Sequence, residues 1–392
     1  MSSPIDIKGK RKSLVEAFDD LDLAPASTFT APSSPRKRQM MVQSFRNTIS
    51  KAWPPQSHQK ESMAMTIRAD NVYRQYARDQ DPHKLFDKAI NWISAIQTTS
   101  LDAAQGDVIA SEIQDAMVRA IFGSNMIERA GLSWDITVQL CRRIFAGEDI
   151  GIISERDVSY QHELLELYRQ QPGLRDQPAQ YVLRGRSEVV QHAKAFQYLV
   201  HAFVIEKQDL TEDLIKATHV ILTKDVPIVE PGMPDVPPEK YGGIYRTVIV
   251  GAGTTNFTVP SFVPAKMKEM CDNIKEDLVN ANKHNTVDPF SIAAKYSLEF
   301  VSIHPFQDGN GRMCRMILNA ILCRYAGIIV PIGEQGEERD EYMGIKKRAS
   351  QNMEGHGEYA TFVLQRAVTR LREMKKKLAG KRGKGSVGSG SN

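Results

Sequence analysis

The chain runs to 392 residues, 41% apolar and 25% charged, a globular composition that can bury a sizeable core and has the length for more than one domain. Its 51 Lys and Arg against 47 Asp and Glu leave a formal charge of only +4, too small to mark a nucleic-acid binder, with the basic residues gathered at the two ends. Asn319 and Arg324 interrupt the richest apolar run, at 316–332, so no membrane span is expected.

Residues 1–60 mix Ser, Pro and charge ("APASTFTAPSSPRKRQ") without apolar periodicity, the composition of a segment that stays disordered. The opening "MSSPIDIKGKRKSLVEAF" lacks the hydrophobic core of a secretory signal, which points to the cytoplasm or nucleus. The basic triplet at Arg36, Lys37 and Arg38 and the lysines of the last residues read as localisation signals or solvated tails rather than nucleic-acid contacts. From 61 to 185 helical patterns begin, with "HKLFDKAINWISAIQ" and "GDVIASEIQDAMVRAIFGSNMIERAG" repeating apolar residues at three- and four-residue steps. The region 186–375 continues the pattern in "VVQHAKAFQYLVHAFVI", "LTEDLIKATHVIL", "AKMKEMCDNIKEDLVNA", "PFSIAAKYSLEFVSI", "GRMCRMILNAILCRYAG" and "TFVLQRAVTRLREMKKKL". Residues 376–392 form a basic Gly/Ser tail with the look of a flexible end. The fold class is therefore all-α, and no fixed-period repeat suggests a solenoid. Cys141, Cys271, Cys314 and Cys323 show no CxxC pair and no zinc-ligand spacing, which argues against a zinc site and a disulfide scaffold and for a reducing compartment.

One stretch departs from helical periodicity. Residues 242–260, "GGIYRTVIVGAGTTNFTVP", place the β-branched run Thr247, Val248, Ile249 and Val250 before a Gly-Ala-Gly turn and a second β-rich run, which reads as a β-hairpin. A lone hairpin is marginal in water, so this one is expected to lean on the helices or to wait for an added strand.

The densest chemistry lies in "HPFQDGNGRMCR", residues 304–315. Pro305 ends the preceding helix at about Ile303 and leaves His304 at the mouth of a loop, while Phe306 can anchor that loop in the core. Gly309, Asn310 and Gly311 let backbone N–H groups converge at the start of the next helix, the geometry of a phosphate site. Arg312 and Arg315 share one face of the first turn, where the helix dipole disfavours cations by roughly 0.3–1 kcal/mol each and an anion between them would reverse the penalty. Asp308 would repel that anion unless a hard cation bridged the two, as Mg²⁺ commonly does with one carboxylate and phosphate oxygens. His304, with an ordinary pKa near 6.5, is placed to take a proton from an attacking hydroxyl.

These residues match, without a gap, the signature H-[PA]-F-x-[DE]-G-N-G-R-x-x-R, and the chain resembles the Fic family of nucleotidyltransferases from about residue 110 to 371. The resemblance implies a helical bundle with residues 245–260 as a "flap" beside the active-site loop. It further implies that His304 deprotonates a Ser, Thr or Tyr hydroxyl of a target protein while Asp308 holds Mg²⁺ on ATP. AMP would be transferred and pyrophosphate released, with Gly309, Asn310 and Gly311 lining an anion hole and Arg312 and Arg315 holding the β- and γ-phosphates. Thr247 to Val250 would clamp the target's backbone, and the protein itself is a further candidate acceptor. The nucleotide base stays open, since relatives using UTP or CDP-choline share much of the motif, and a homodimer is left open too.

A second stretch, "FGSNMIERAG", places Ser124 and Glu128 in a pattern similar to the inhibitory helix of self-restrained Fic proteins, [ST]-x-x-x-E-[GN], with the helix expected at about 111–128. Arg129 departs from it, standing where Gly or Asn is usual. The resemblance implies that Glu128 pairs with Arg315 and restrains transfer, or positions a water that removes AMP. The competing reading is a non-catalytic, nucleotide-binding regulatory protein, which would have no need of His304.

Overall fold

The structure is a computed structural model that describes residues 34–55, 63–68, 72–75, 80–98, 103–151, 153, 159–229, 233–251, 257–351 and 355–385. Helices dominate it, in chain order α1 (Pro35–Lys51), α2 (Pro82–Gln97), α3 (Ala103–Ile127), α4 (Trp134–Phe145), α5 (Tyr160–Gln170), α6 (Ala179–Leu199), α7 (Glu212–Thr223), α8 (Val263–His284), α9 (Pro289–Ile303), α10 (Asn310–Ala326), α11 (Gly336–Gln351) and α12 (Gly357–Gly385). Local chemistry sets many of their starts. Ser34, Asp81, Thr211 and Asp288 accept backbone N–H groups of their first turns, and Pro35, Pro82 and Pro289 take first positions where a missing N–H costs nothing.

At the centre stand α9 and α10, whose residues are buried almost throughout and which pack against each other across the loop 304–309. Around them, α12 packs on α2 and α9, α8 on α9, and α6 on α4 and α7. Helix α3 contacts α1, α4, α6, α10 and α12, so its C-terminal end is carried to the start of α10 by packing from several sides. Helix α6 passes at Val200–Ile205 into a π-helical turn that packs on α10 and α1. The strands are few: β1 (Ala64–Met65) pairs in parallel with β2 (Thr286–Val287), Ala64 opposite Thr286.

Four sequence expectations change here. The segment 1–60 is not uniformly disordered, because Pro35–Lys51 form α1 and bury Val42, Phe45 and Ile49, while the indole of Trp53 donates to the Gly327 carbonyl at 2.9 Å. Residues 1–33 lie outside the described residues. The boundary at 185/186 falls inside α6, and α12 continues through Gly385, so part of the expected tail is helix. Finally, 242–251 and 257–260 contain no strand; the tip, 252–256, lies outside the described residues. Instead of a ladder, the guanidinium of Arg246 ties the two limbs, donating to the carbonyls of Val248 at 3.0 Å and Thr258 at 2.5 Å. No helix among the described residues is long and apolar enough to cross a membrane.

Candidate active site

His304 closes α9 in the left-handed region (φ +54°), where its N–H still reaches the Phe300 carbonyl at 3.0 Å. The helix ends at Ile303, as the proline required. Its Nδ1 lies 3.1 Å from the Val301 carbonyl, an acceptor only, so Nδ1 carries the proton and Nε2 presents its lone pair. The ring stacks on Phe257 at 3.8 Å. Burial in this sheath, helped by the nearby charges of Lys346 and Arg246 and opposed by the Val301 carbonyl, lowers the imidazole pKa to about 4, which keeps the ring neutral at neutral pH.

The loop is pinned from within. Phe306 is fully buried and donates its N–H to Asn310 Oδ1 at 2.9 Å, and Asn310 Nδ2 donates back to the Phe306 carbonyl at 2.8 Å. The side chain of Asn310 is thus spent on the loop itself, and what it presents at the start of α10 is its backbone N–H. Gly309 adopts φ +77° at the N-cap, a conformation few side chains tolerate. The first N–H groups of α10 have no acceptors within the helix and form its positive end.

Around that end sit two buried guanidiniums. Arg312 gives one hydrogen bond, to Asp308 Oδ2 at 3.2 Å, while its buried Nε and Nη1 have no partner among the described residues. Asp308 also accepts the Gly309 N–H at 2.6 Å, and its side chain is 36% exposed. Burial pushes its carboxyl up, but Arg312 and that N–H outweigh the push and hold it below its ordinary value. Among the described residues no group of three or more His, Cys, Asp or Glu could hold a metal ion. An ionised, partly open single carboxylate does fit Mg²⁺ when nucleotide oxygens and waters supply the remaining ligands.

Arg315, 4% exposed, faces the end of α3. Its Nε donates to Ser124 Oγ at 2.8 Å, and its Nη2 donates to the Ser124 carbonyl at 3.2 Å and to Glu128 Oε1 at 2.5 Å. Burial raises the Glu128 carboxyl, but Arg315 overcomes this and holds it below its ordinary value. Glu128 lies one residue beyond α3, which runs Ala103–Ile127 and not 111–128. A Cβ on Gly311 would collide with this carboxylate, so the second glycine of the motif is what lets the acid reach Arg315. Arg129, the departure from the pattern, has φ +54°. Gly or Asn is favoured there because the left-handed region costs other residues about 1 kcal/mol or more.

Two residues that hold the loop were not legible in the sequence. Arg246 is buried beside the loop: its N–H donates to the Pro305 carbonyl at 2.9 Å, and its Nε donates to the His304 carbonyl at 2.6 Å. Fully buried His219 of α7 stacks on Phe306 at 3.7 Å. It accepts the Gly243 N–H on Nδ1 at 2.8 Å and therefore donates from Nε2 to the Asp308 carbonyl at 2.9 Å. Burial takes its pKa down to about 4. The one available signal was a histidine on an apolar stripe, four residues after Ile215 and three before Leu222. The flap run lies nearby: Thr247 and Val248 are exposed, Ile249 is 87% exposed, and Val250 is half-buried.

A family model described as the Fic/DOC family matches residues 209–322. The chain is 36% identical over 93 residues to protein adenylyltransferase fic-1 of Caenorhabditis elegans, covering 23% of this chain and 18% of that protein. It is 35% identical over 78 residues to protein adenylyltransferase Fic of Drosophila mojavensis, covering 19% and 15%. A Fido domain-containing protein of Dictyostelium discoideum is 34% identical over 97 residues, 24% of this chain and 65% of its own length. The match thus spans less than a fifth of the worm and fly proteins. Among solved structures, Fic-1 (aa134–508) of C. elegans is similar with a TM-score of 0.54 at 18% identity, over 76% of this chain and 73% of that one. A Fic domain containing signaling protein from Bacteroides thetaiotaomicron gives 0.52 at 19% identity, over 76% and 97%. At such identities the structural likeness is one of fold.

Proposed function

We propose, from the match of residues 209–322 to the Fic/DOC family model, that the protein transfers AMP from ATP to Ser, Thr or Tyr hydroxyls of a target protein and is restrained by its own Glu128. The observation that carries the reading is one loop holding both a neutral, half-buried His304 and a buried Arg312 with two guanidinium nitrogens to spare. The target hydroxyl oxygen bonds to the α-phosphorus, its proton passes to His304 Nε2, and the bond from that phosphorus to the oxygen bridging to the β-phosphorus breaks to release pyrophosphate. Arg312, Arg315 and the N–H groups opening α10 hold the phosphates in line, worth several kcal/mol as charge builds on the leaving group. Bound at Asp308, Mg²⁺ would neutralise part of that charge. Arg246 and His219 act as positioning residues that fix the carbonyls of His304 and Asp308. The run Thr247 to Val250, exposed as far as Ile249 and outside any ladder among the described residues, offers its backbone to the target.

Glu128 competes with the terminal phosphate for Arg315, and a nucleotide displaced by about 1 Å can lose on the order of 100-fold in rate. Its carboxylate is 35% exposed, which also supports a second reading in which it orients a water that removes AMP. The test is incubation of the parent, Glu128→Gly and Glu128→Gly/His304→Ala with labelled ATP, CTP, GTP and UTP, followed by mass spectrometry of modified proteins. Glu128→Gly should raise AMP transfer at least tenfold with ATP as the preferred donor, and loss of His304 should then lower transfer on the order of 10³-fold while nucleotide binding persists. Equal transfer by the parent and Glu128→Gly would remove the restraint; transfer without His304 would remove the base. If Glu128 also serves hydrolysis, the same variant loses AMP removal as it gains transfer.

A further inference from the structure

Helix α11 brings a third cation to the phosphate site. Tyr342 is fully buried, and two cations lie over its one ring: the Arg315 guanidinium carbon 5.9 Å from the centroid and Lys346 Nζ 5.0 Å from it. Tyr342 and Lys346, four residues apart, share a helix face, which brings the ammonium over the same ring that the Arg315 guanidinium covers. Among the described residues no carboxylate lies within ion-pair distance of Lys346 Nζ, whereas Arg312 and Arg315 each have one. Its charge is felt at Glu128, where it favours the ionised form, and at His304, where it disfavours protonation.

We infer that Lys346 is a nucleotide-binding residue that contacts the terminal phosphate of the bound triphosphate, beside Arg315. The inference rests on the nucleotidyl-transfer reading above. Charge balance favours it. Arg312, Arg315 and Lys346 face Asp308 and Glu128, a surplus of one positive charge; displacement of Glu128 raises the surplus to two. A magnesium-bound nucleoside triphosphate carries roughly two negative charges at neutral pH, whereas a monophosphate carries no terminal group that reaches this ring. Without Lys346 the released site would be left one cation short. The ammonium has three N–H donors, and its contact with the Tyr342 side chain leaves others for such a ligand.

The test is made in the full-length Glu128→Gly chain, where Arg315 is free. Fluorescent ATP and AMP analogues are titrated by anisotropy against this chain and against the same chain carrying Lys346→Met, which keeps an unbranched stem and removes the charge. The expected result is about a tenfold weaker Kd for ATP, which is about 1.4 kcal/mol, with AMP changed less than twofold, and most of the loss restored by Lys346→Arg. In transfer assays KM for ATP should rise while kcat holds within about threefold, because the reacting atoms are untouched. Equal weakening of ATP and AMP would assign Lys346 to folding or general attraction and overturn the contact, as would unchanged ATP binding. Should the Glu128→Gly chain bind no ATP at all, the donor assignment itself falls, an outcome distinct from an ATP-binding chain indifferent to Lys346.

Discussion

The active-site loop and the flap run are opposites in how they are held. In residues 304–310 many of the polar groups have internal partners: Asn310 bonds both backbone groups of Phe306, Asp308 takes the Gly309 N–H, and the carbonyls of His304, Pro305 and Asp308 receive Arg246 and His219. Residues 247–250 are exposed or half-buried, form no ladder among the described residues, and are tied to the body at Val248 through Arg246. Chemistry needs atoms that do not move, and recognition of a varied target needs backbone that is still unpaired. One buried arginine stands between the two regimes.

The loop should be costly to disturb and the flap cheap. The largest effect is expected from Asn310→Ala, which strands a buried N–H and a buried carbonyl of Phe306 and should destabilise the fold by about 2–5 kcal/mol, read by urea denaturation. A loss under about 1 kcal/mol would mean the loop is held elsewhere. Arg246→Met comes next: by freeing the His304 carbonyl and both limbs of the flap it should lower kcat/KM for target modification on the order of 100-fold, mostly through kcat, with ATP binding within about threefold. If only KM for the target moved, Arg246 would belong to the flap alone. Thr247→Pro or Val250→Pro should leave stability within about 0.5 kcal/mol yet raise KM for the target about tenfold, since proline removes an N–H that an added strand would use. Equal loss of nucleotide binding would expose a folding defect instead.

A further effect is one of pH. His304 and His219 have folded pKa values of about 4 against an unfolded value near 6.5, so between these limits the unfolded chain binds more protons than the folded one. Stability should therefore be complete above about pH 6.5 and fall as pH drops toward 4. Asp308 and Glu128, both held low, extend the loss below their ordinary carboxylate values. Melting temperature measured from pH 4 to 8 tests this, and a flat profile across 4 to 6.5 would mean the imidazoles are charged in the folded protein.

What the sequence determined by itself was local. Asp288 with Pro289 starts α9, Pro305 ends it, and Gly309 with Gly311 opens α10, because each acts on backbone within a few residues of itself. His304, Asp308, Arg312 and Arg315 fell together for the same reason, and resemblance to a known pattern added Ser124 and Glu128 from 187 residues away or more. Only the tertiary structure decided the rest. Composition averaged over residues 1–60 hid α1, whose Val42, Phe45 and Ile49 count as core only once α3 lies beneath them. The β-branched run at 247–250 has the propensity of a strand, but a strand is made by a partner, and among the described residues there is none. Arg246 and His219 satisfy carbonyls that become orphans only where α9 stops and the loop turns inward, a need that exists in the folded chain and nowhere in the order of its residues.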